Sequence, residues 1–323
     1  MPRSSILAKS FSGPPPYVQL GPLTKGLLSG ATWLGVDGFP AHQIWADDVE
    51  VVLAFLDSQR RLPAFFSMIK KARTAQHRDS LLAEARATFL LAKNGFIILG
   101  WEPPGAGAKK GEVLVSLDGS QEIFVEVKQP AWQGEFLPLR NADKLRLHPL
   151  EVQRRLYRMR QTKFIPGVVE GGAVGPHHVA MSVVRRNALR KLTDKCPNLA
   201  IVVDDCMVSP VGFPCLAEYV TEEFLHPWHD PLDPFDRGTY ERLGGVLFLR
   251  PEAEESRMIE YKVDFVENPG VLAACALPLA VRSLFARLRD ETDQREEDRY
   301  AGVPKFVDRL RDQWAADNRD QVS

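Results

Sequence analysis

The chain has 323 residues, of which 45% are hydrophobic, and its 41 basic and 42 acidic side chains give a formal net charge of -1. This length allows a substantial core, and the near-zero charge excludes a uniformly basic, nucleic-acid-coating protein. No apolar run is long enough for a signal peptide or a membrane span, so we expect a cytoplasmic protein with no membrane partner. The four scattered cysteines lack a CxxC pair, which is typical of reduced thiols.

The first part of the chain is predicted to be irregular and then helical. Gly, Pro and Ser are frequent up to about residue 45, which indicates irregular, peripheral structure. The spacing of apolar residues then predicts three helices, over residues 47–62, 64–74 and 77–96. In the third helix Asp79 is the expected N-cap, and Gly95 is expected to end the helix.

A strand and a β-hairpin are predicted next. Residues 96–101 form a short apolar strand, and residues 102–111 form a loop. Residues 112–117 and 121–128 alternate as strands do, and the turn-forming residues 118–120 separate them. This pattern is typical of two antiparallel strands joined by a short loop.

Helices and strands continue beyond the hairpin. In chain order we predict a basic helix over 147–164, a second basic helix over 181–195, strands over 198–205, 244–251 and 258–269, and a helical tail from about residue 271. This order predicts a mixed α/β fold with a central mixed sheet flanked by helices. We divide the chain into an N-terminal extension (1–75), a core with insertions (76–269) and a C-terminal helical tail (270–323).

The second hairpin strand carries opposite charges at its end. Glu126 and Lys128 are two residues apart and project from the same face of the strand. A two-residue turn would send Glu112 to the other face, whereas a three-residue loop places Glu112 opposite or diagonal to Glu126. We favour the three-residue loop. Asp118 cannot replace Glu112, because at ~3.3 Å per residue it lies about 16 Å from Glu126.

Two carboxylates and a lysine at one strand end suit phosphodiester hydrolysis. Carboxylate oxygens bind hard cations such as Mg²⁺, and such a cation polarises a phosphoryl oxygen and acidifies water. We therefore expect Glu112 and Glu126 to be ligands of Mg²⁺ or Mn²⁺. Lys128 would orient or help to deprotonate the attacking water, or stabilise the developing negative charge.

Residues 77 to 205 resemble the PD-(D/E)XK nuclease superfamily. Its pattern is an acid that opens one strand, an E-x-K near the end of the next and often a glutamate on the preceding helix. The matching residues here are Glu112, Glu126 with Lys128, and Glu84. The resemblance implies a restriction-endonuclease-like αβββαβ core and magnesium-dependent nuclease activity, with these four residues catalytic. The first acid is usually aspartate, and Glu112 is one methylene longer, which either alters the metal geometry or abolishes activity.

Two further features point to nucleic acid. Gln153 and Tyr157 look like the Q-x-x-x-Y helix signature of RecB-type members of that superfamily, although this spacing is common by chance. Basic side chains cluster on the two predicted basic helices, and Arg190, Lys191 and Lys195 continue the second cluster. The predicted phosphate contacts are Arg154, Arg155, Arg158, Arg185 and Arg186. We expect a nucleic-acid partner, with DNA favoured over RNA.

Two other interpretations of the same residues stay open. The first is a catalytically inactive module of the same fold that binds nucleic acid or another protein, and the glutamate at position 112 favours it. The second is a structural protein in which Glu126 and Lys128 form a solvated ion pair of little energetic value. The apolar residues around this pair argue against the second, since unpaired charges on a central strand would be costly.

Overall fold

The computed structural model describes residues 19–28, 43–72, 75–107, 109–129, 184, 188–203, 240–253 and 259–300. The helices in these ranges are α1 (Pro22–Leu28), α2 (Gln43–Ser58), α3 (Leu62–Lys71), α4 (Ala75–Lys93) and α5 (Leu279–Tyr300). The strands are β1 (Ile97–Trp101), β2 (Val113–Ser116), β3 (Ile123–Lys128), β4 (Asn198–Val203), β5 (Gly245–Ala253) and β6 (Ile259–Glu267). The basic helix predicted over 147–164 lies outside the described residues.

One sheet of six strands, arranged in chain order from β1 to β6, forms the centre of the described structure. Strands β1, β2 and β3 pair antiparallel, β3, β4 and β5 pair parallel, and β6 pairs antiparallel with β5. The predicted mixed α/β fold is therefore confirmed. All six residues of β4 are buried, and in β3 only Lys128 at its end is partly exposed. The hairpin that carries the charged residues thus leads into the middle of the sheet.

The two faces of β3 contribute to different hydrophobic clusters. Ile123, Val125 and Val127 pack with residues of α4 and α5. Phe124, on the other face, packs with Leu189 and other residues of the segment before β4. This division follows from the two-residue period of a strand. Glu126 and Lys128 therefore project on the Phe124 side of the sheet.

Helix α1 lies in the segment that was predicted to be irregular. Its first-turn N–H groups find a partner in α2, because the Glu50 carboxylate accepts hydrogen bonds from the N–H of Leu23 (3.0 Å) and of Thr24 (2.8 Å). These N–H groups have no partner within their own helix, and a carboxylate at a helix N-terminus is favourable. The helix thus depends on a contact with a distant part of the chain.

The ends of α4 agree with the prediction at one terminus only. The helix begins at Ala75, so Asp79 lies inside it and the predicted N-cap is wrong. At the other end Gly95 adopts a left-handed conformation, with φ of 90°, two residues after Lys93. Glycine reaches this conformation at little cost, and it ends the helix as predicted.

The second predicted basic helix ends earlier than predicted. Val184 and Ala188 are π-helical, a 3-10 turn covers Leu189–Lys191, and residues 192–197 are not helical. The side-chain amide of Asn198 bonds this stretch, because it accepts from the Thr193 N–H (3.1 Å) and donates to the Thr193 carbonyl (2.7 Å). The side chain offers the backbone an alternative to helical hydrogen bonds. The helical prediction is therefore wrong from residue 192 onward.

Two other predictions bear on the described part of the chain. No helix there is apolar over a sufficient length to cross a membrane. Cys196 and Cys275 are free thiols, as predicted. The remaining cysteines, Cys206 and Cys215, lie outside the described residues.

Candidate active site at the open end of the hairpin

The turn between β2 and β3 is held by its own side chains. Asp118 Oδ1 accepts hydrogen bonds from the N–H (2.8 Å) and the hydroxyl (2.6 Å) of Ser120. Gly119, at the centre of the turn, has φ of 79°. Aspartate at the start and glycine at the left-handed position are the residues that such a turn requires.

The strand register places the two carboxylates side by side. Val113 pairs with Val125 and Leu114 with Phe124, so even-numbered residues oppose even-numbered residues. One step beyond Val113, the main chain of Glu112 donates to the Val125 carbonyl at 3.2 Å. Glu112 therefore faces Glu126 across the hairpin, which confirms the predicted register, although the connection between the strands spans residues 117–122.

Lys128 joins the two carboxylates. Its ammonium nitrogen forms an ion pair with Glu126 Oε1 and lies 3.3 Å from Glu112 Oε1. It also donates to the Val127 carbonyl at 2.8 Å. The Glu126 side chain is completely buried, and the Lys128 side chain is 13% exposed. The predicted meeting of Glu112, Glu126 and Lys128 is confirmed as geometry.

A second ammonium group, from Lys191, contacts the same oxygens. Its Nζ lies 2.6 Å from Glu126 Oε1 and 3.0 Å from Glu112 Oε1. In the sequence Lys191 belongs to a basic cluster that is compatible with phosphate contacts or with a solvated helix face, and its contact with the two glutamates was not predicted. No local signal distinguishes it from Arg190 or Lys195. Its place follows from the 3-10 turn before β4, which brings it over the hairpin.

Helix α4 brings Glu84 into the electrostatic field of this site. Ser80, one turn before Glu84, donates to the side chain of Gln129 at 3.3 Å, and Gln129 directly follows Lys128. Burial raises the pKa of Glu84 to about 8, and the negative charges of Glu112 and Glu126 add to this shift. The predicted supporting glutamate therefore interacts with the other site residues.

Burial and charge act differently on the central glutamate and on the second lysine. Burial raises the pKa of Glu126 to about 7, against the opposing charge of Lys128. Burial alone would lower the pKa of Lys191, but its hydrogen bonds to Glu126 and Glu112 outweigh burial and raise the pKa. Near neutral pH Lys191 is thus positively charged, while Glu126 sits close to its titration point.

Carboxylate oxygens, such as those of Glu112 and Glu126, are the type of ligand that a hard divalent cation prefers. Glu126 Oε2 is buried and has no hydrogen-bond partner among the described residues. A cation would satisfy it, because a buried carboxylate oxygen without a partner is costly. In the described ranges no three His, Cys, Asp or Glu side chains are grouped closely enough to hold a metal ion as they stand. The ligands would be Glu112 and Glu126, between which both lysines now lie.

The other predicted site residues cannot be placed. They lie outside the described residues and comprise Gln153, Arg154, Arg155, Tyr157, Arg158, Arg185 and Arg186. Their assignments as phosphate contacts or supporting residues stay predictions.

Comparison with known proteins does not identify a family. No protein-family model and no curated protein matches the sequence. Among solved structures the chain is similar to SfsA from Pyrococcus furiosus in complex with Ca²⁺, with 14% sequence identity and a TM-score of 0.23. The similarity covers 58% of this chain and 62% of SfsA, so the chain spans less than two thirds of that structure. A TM-score of this size supports no conclusion about function, and the site geometry carries the functional argument.

Proposed function

We propose that the protein is a metal-dependent nuclease that hydrolyses phosphodiester bonds of nucleic acid. One observation carries the proposal: Glu112 and Glu126 face each other across the hairpin and share Lys128. Residue types and strand positions agree with the E-x-K pattern of the PD-(D/E)XK superfamily. Glu112 and Glu126 would hold Mg²⁺ or Mn²⁺, and Glu84 would support the site electrostatically.

Hydrolysis forms a bond between the oxygen of water and phosphorus and breaks the bond to the leaving alcohol oxygen. A proton leaves the water, and the leaving oxygen gains one. When bound, the divalent cation supplies Lewis acidity towards the phosphoryl oxygen and the water. Lys128 is held in place by Glu126 and by the Val127 carbonyl, so its ammonium group is positioned to orient the water or stabilise developing negative charge.

Exposed lysines next to the site are consistent with the proposal that the substrate is a polyanion. Lys109 and Lys110 are exposed on the loop that leads directly into Glu112. Lys110 is only loosely paired with Glu102, at 3.5 Å on the surface. Such ammonium groups contribute sequence-independent contacts to phosphates. We propose DNA as the substrate ahead of RNA, and only the resemblance to the PD-(D/E)XK superfamily supports this preference.

Cleavage of single- and double-stranded DNA and RNA, with Mg²⁺ or Mn²⁺ and with a chelator, tests the proposal. Wild type should cut at least one of these substrates only when the metal is present. Glu112→Gln and Glu126→Gln should reduce cleavage to background. Glu267→Gln is the matched control, because Glu267 pairs with Arg282 on the surface, away from the hairpin end. Equal cleavage by wild type and Glu126→Gln would refute the proposed ligand role.

A catalytically inactive nucleic-acid-binding or protein-interaction module is the second candidate. The observation that favours it is that two ammonium groups already balance Glu112 and Glu126 without a metal. Such a module would retain nucleic acid equally with a chelator and with Mn²⁺, and would show no metal-dependent cut. Glu126→Gln would then leave retention unchanged in a filter-binding assay.

A further inference from the structure

We propose that Lys191 is a built-in counter-cation of the Glu112–Glu126 pair, which a divalent cation must displace, so that Lys191 sets the metal affinity of the site. This inference rests on the proposed function and assigns Lys191 a role distinct from that of Lys128. Lys191 acts on the metal site through its contacts with the two carboxylates and does not itself contact the substrate.

The Lys191 ammonium group lies between the two carboxylates that would hold a metal ion. It bridges one oxygen of Glu126 (2.6 Å) and one oxygen of Glu112 (3.0 Å), which project from two neighbouring strands. A metal ion shared by these glutamates would have to use the same oxygens or the space between them. An ammonium and a divalent cation therefore compete for one place.

The main chain of Lys191 is held in place, while its side chain can reach solvent. The Ala106 N–H donates to the Lys191 carbonyl at 3.0 Å, and Gly105 approaches that carbonyl so closely that an added Cβ would collide with it. On either side Leu189 and Leu192 are buried. The Lys191 side chain itself is 24% exposed. Rotation of the side chain alone can carry the ammonium group into solvent.

Lys128 is less free than Lys191 to leave the two glutamates. Its side chain is 13% exposed, and its ammonium group is also hydrogen-bonded to the Val127 carbonyl of its own strand. Among the described residues the Lys191 ammonium group donates to carboxylate oxygens and to no main-chain carbonyl. When a cation enters, Lys191 is the group expected to move.

Charge balance also favours displacement. Glu112 and Glu126, when ionised, are balanced by Lys128 and Lys191, so a divalent cation that entered without displacing an ammonium group would leave two excess positive charges. Exchange of the Lys191 ammonium for the divalent cation lowers that excess to one, while Lys128 stays in place. A change of this kind at a few ångströms has a large effect in a partly buried site, because the effective dielectric constant is low.

Titration with Mn²⁺ alone tests the inference in the full-length chain. We compare wild type with Lys191→Met by calorimetry, and follow thermal unfolding with a chelator and with saturating Mn²⁺. Lys191→Met should bind Mn²⁺ about tenfold or more tightly, because a competing positive charge is gone. Its Tm should be lower than that of wild type with the chelator and should return to at least the wild-type value with Mn²⁺. Lys195→Met replaces an exposed lysine four residues after Lys191 and should match wild type in both Mn²⁺ affinity and Tm.

Lys191→Arg keeps the charge and covers the case in which the methionine variant does not fold. It should bind Mn²⁺ no more tightly than wild type. Unchanged or weaker Mn²⁺ binding by Lys191→Met would overturn the inference, and so would a Tm loss that Mn²⁺ does not reverse. A different result would refute the proposed function, namely that wild type binds no Mn²⁺. Binding by Lys191→Met alone would then support the counter-cation role and favour the inactive module.

Discussion

Two buried charged clusters of this molecule differ in how completely their charges are paired. In the first, Asp48 of α2 meets Arg86 of α4 and Tyr261 of β6. The Arg86 Nε lies 2.8 Å from Asp48 Oδ2, and the Tyr261 hydroxyl donates to Asp48 Oδ1 at 3.0 Å. One acid faces one base, and both carboxylate oxygens have a donor. This cluster joins three elements of the fold.

The second cluster, at the hairpin end, is less completely paired. Glu112 and Glu126 share Lys128 and Lys191, Glu84 interacts with them only electrostatically, and Glu126 Oε2 has no partner among the described residues. The pKa of Glu126 rises to about 7 and that of Glu84 to about 8, which reflects the cost of ionising them there. Both clusters are buried, so burial of charge alone does not mark a functional site. Incomplete pairing of buried charge, close to solvent-accessible lysines, is the more informative sign.

The largest expected difference between the clusters is in catalysis. Lys128→Ala should lower the metal-dependent cleavage rate by about 10²–10⁴-fold, because an aligned ammonium group near the reacting phosphate is lost. Steady-state cleavage with saturating Mg²⁺ measures this. Lys93→Ala, which removes an exposed ammonium group from the last turn of α4, should stay within about threefold of wild type. Undiminished cleavage by Lys128→Ala would refute its assigned role.

Removal of the acid from the first cluster should act on stability. Asp48→Ala removes the carboxylate that pairs with buried Arg86 and accepts from the Tyr261 hydroxyl, and should destabilise the protein by about 3–5 kcal/mol. Urea denaturation gives the value. Glu267→Ala breaks an exposed pair with Arg282 and should cost less than about 1 kcal/mol. Equal losses in the free energy of unfolding of the two variants would show that the buried Asp48 pair stabilises the fold no more than an exposed pair does.

The second cluster should give the stability a distinct pH dependence in the absence of metal. Glu126 has a pKa of about 7 in the folded state against an ordinary value of 4.5, so the folded state holds a proton that the unfolded state has released. Stability should therefore fall as pH rises between about 4.5 and 7, by roughly 3 kcal/mol for this group. Urea denaturation in a chelator at several pH values measures the slope, which should be smaller in Glu126→Gln. An identical slope in both proteins would contradict the assignment.

The smallest expected effect concerns the loop that supports Lys191. Gly105→Ala places a Cβ against the Lys191 carbonyl and should destabilise the protein by about 1–3 kcal/mol. Gly100→Ala is the control, because a Cβ there meets no atom within 4 Å. Thermal unfolding should separate the two variants. Equal Tm values would show that the loop moves aside without cost.

The sequence was sufficient for features that depend on local periodicity. Strand alternation and the Asp118–Gly119–Ser120 turn predicted the hairpin register, and with it the meeting of Glu112, Glu126 and Lys128. The α/β class followed in the same way from the order of helical and extended segments. These features are set by neighbours within a few residues.

The features that the sequence did not predict depend on distant partners. Helix α1 relies on Glu50 of α2 to bond its first N–H groups. Lys191 reaches the glutamates only because the chain packs its 3-10 turn over the hairpin, with the Ala106 N–H on its carbonyl. In the sequence it is one lysine in a basic run. The hydrogen bonds of the Asn198 side chain to the stretch after this turn have no signal in the sequence either.

Binding of Mn²⁺ to wild type, Glu112→Gln and Glu126→Gln, measured without nucleic acid by electron paramagnetic resonance, tests the central claim most directly. The two glutamates are expected to form one Mn²⁺ site per chain, which either substitution abolishes while Glu267→Gln retains it. Absence of bound Mn²⁺ in wild type, or equal binding by wild type and both hairpin variants, would contradict the claim.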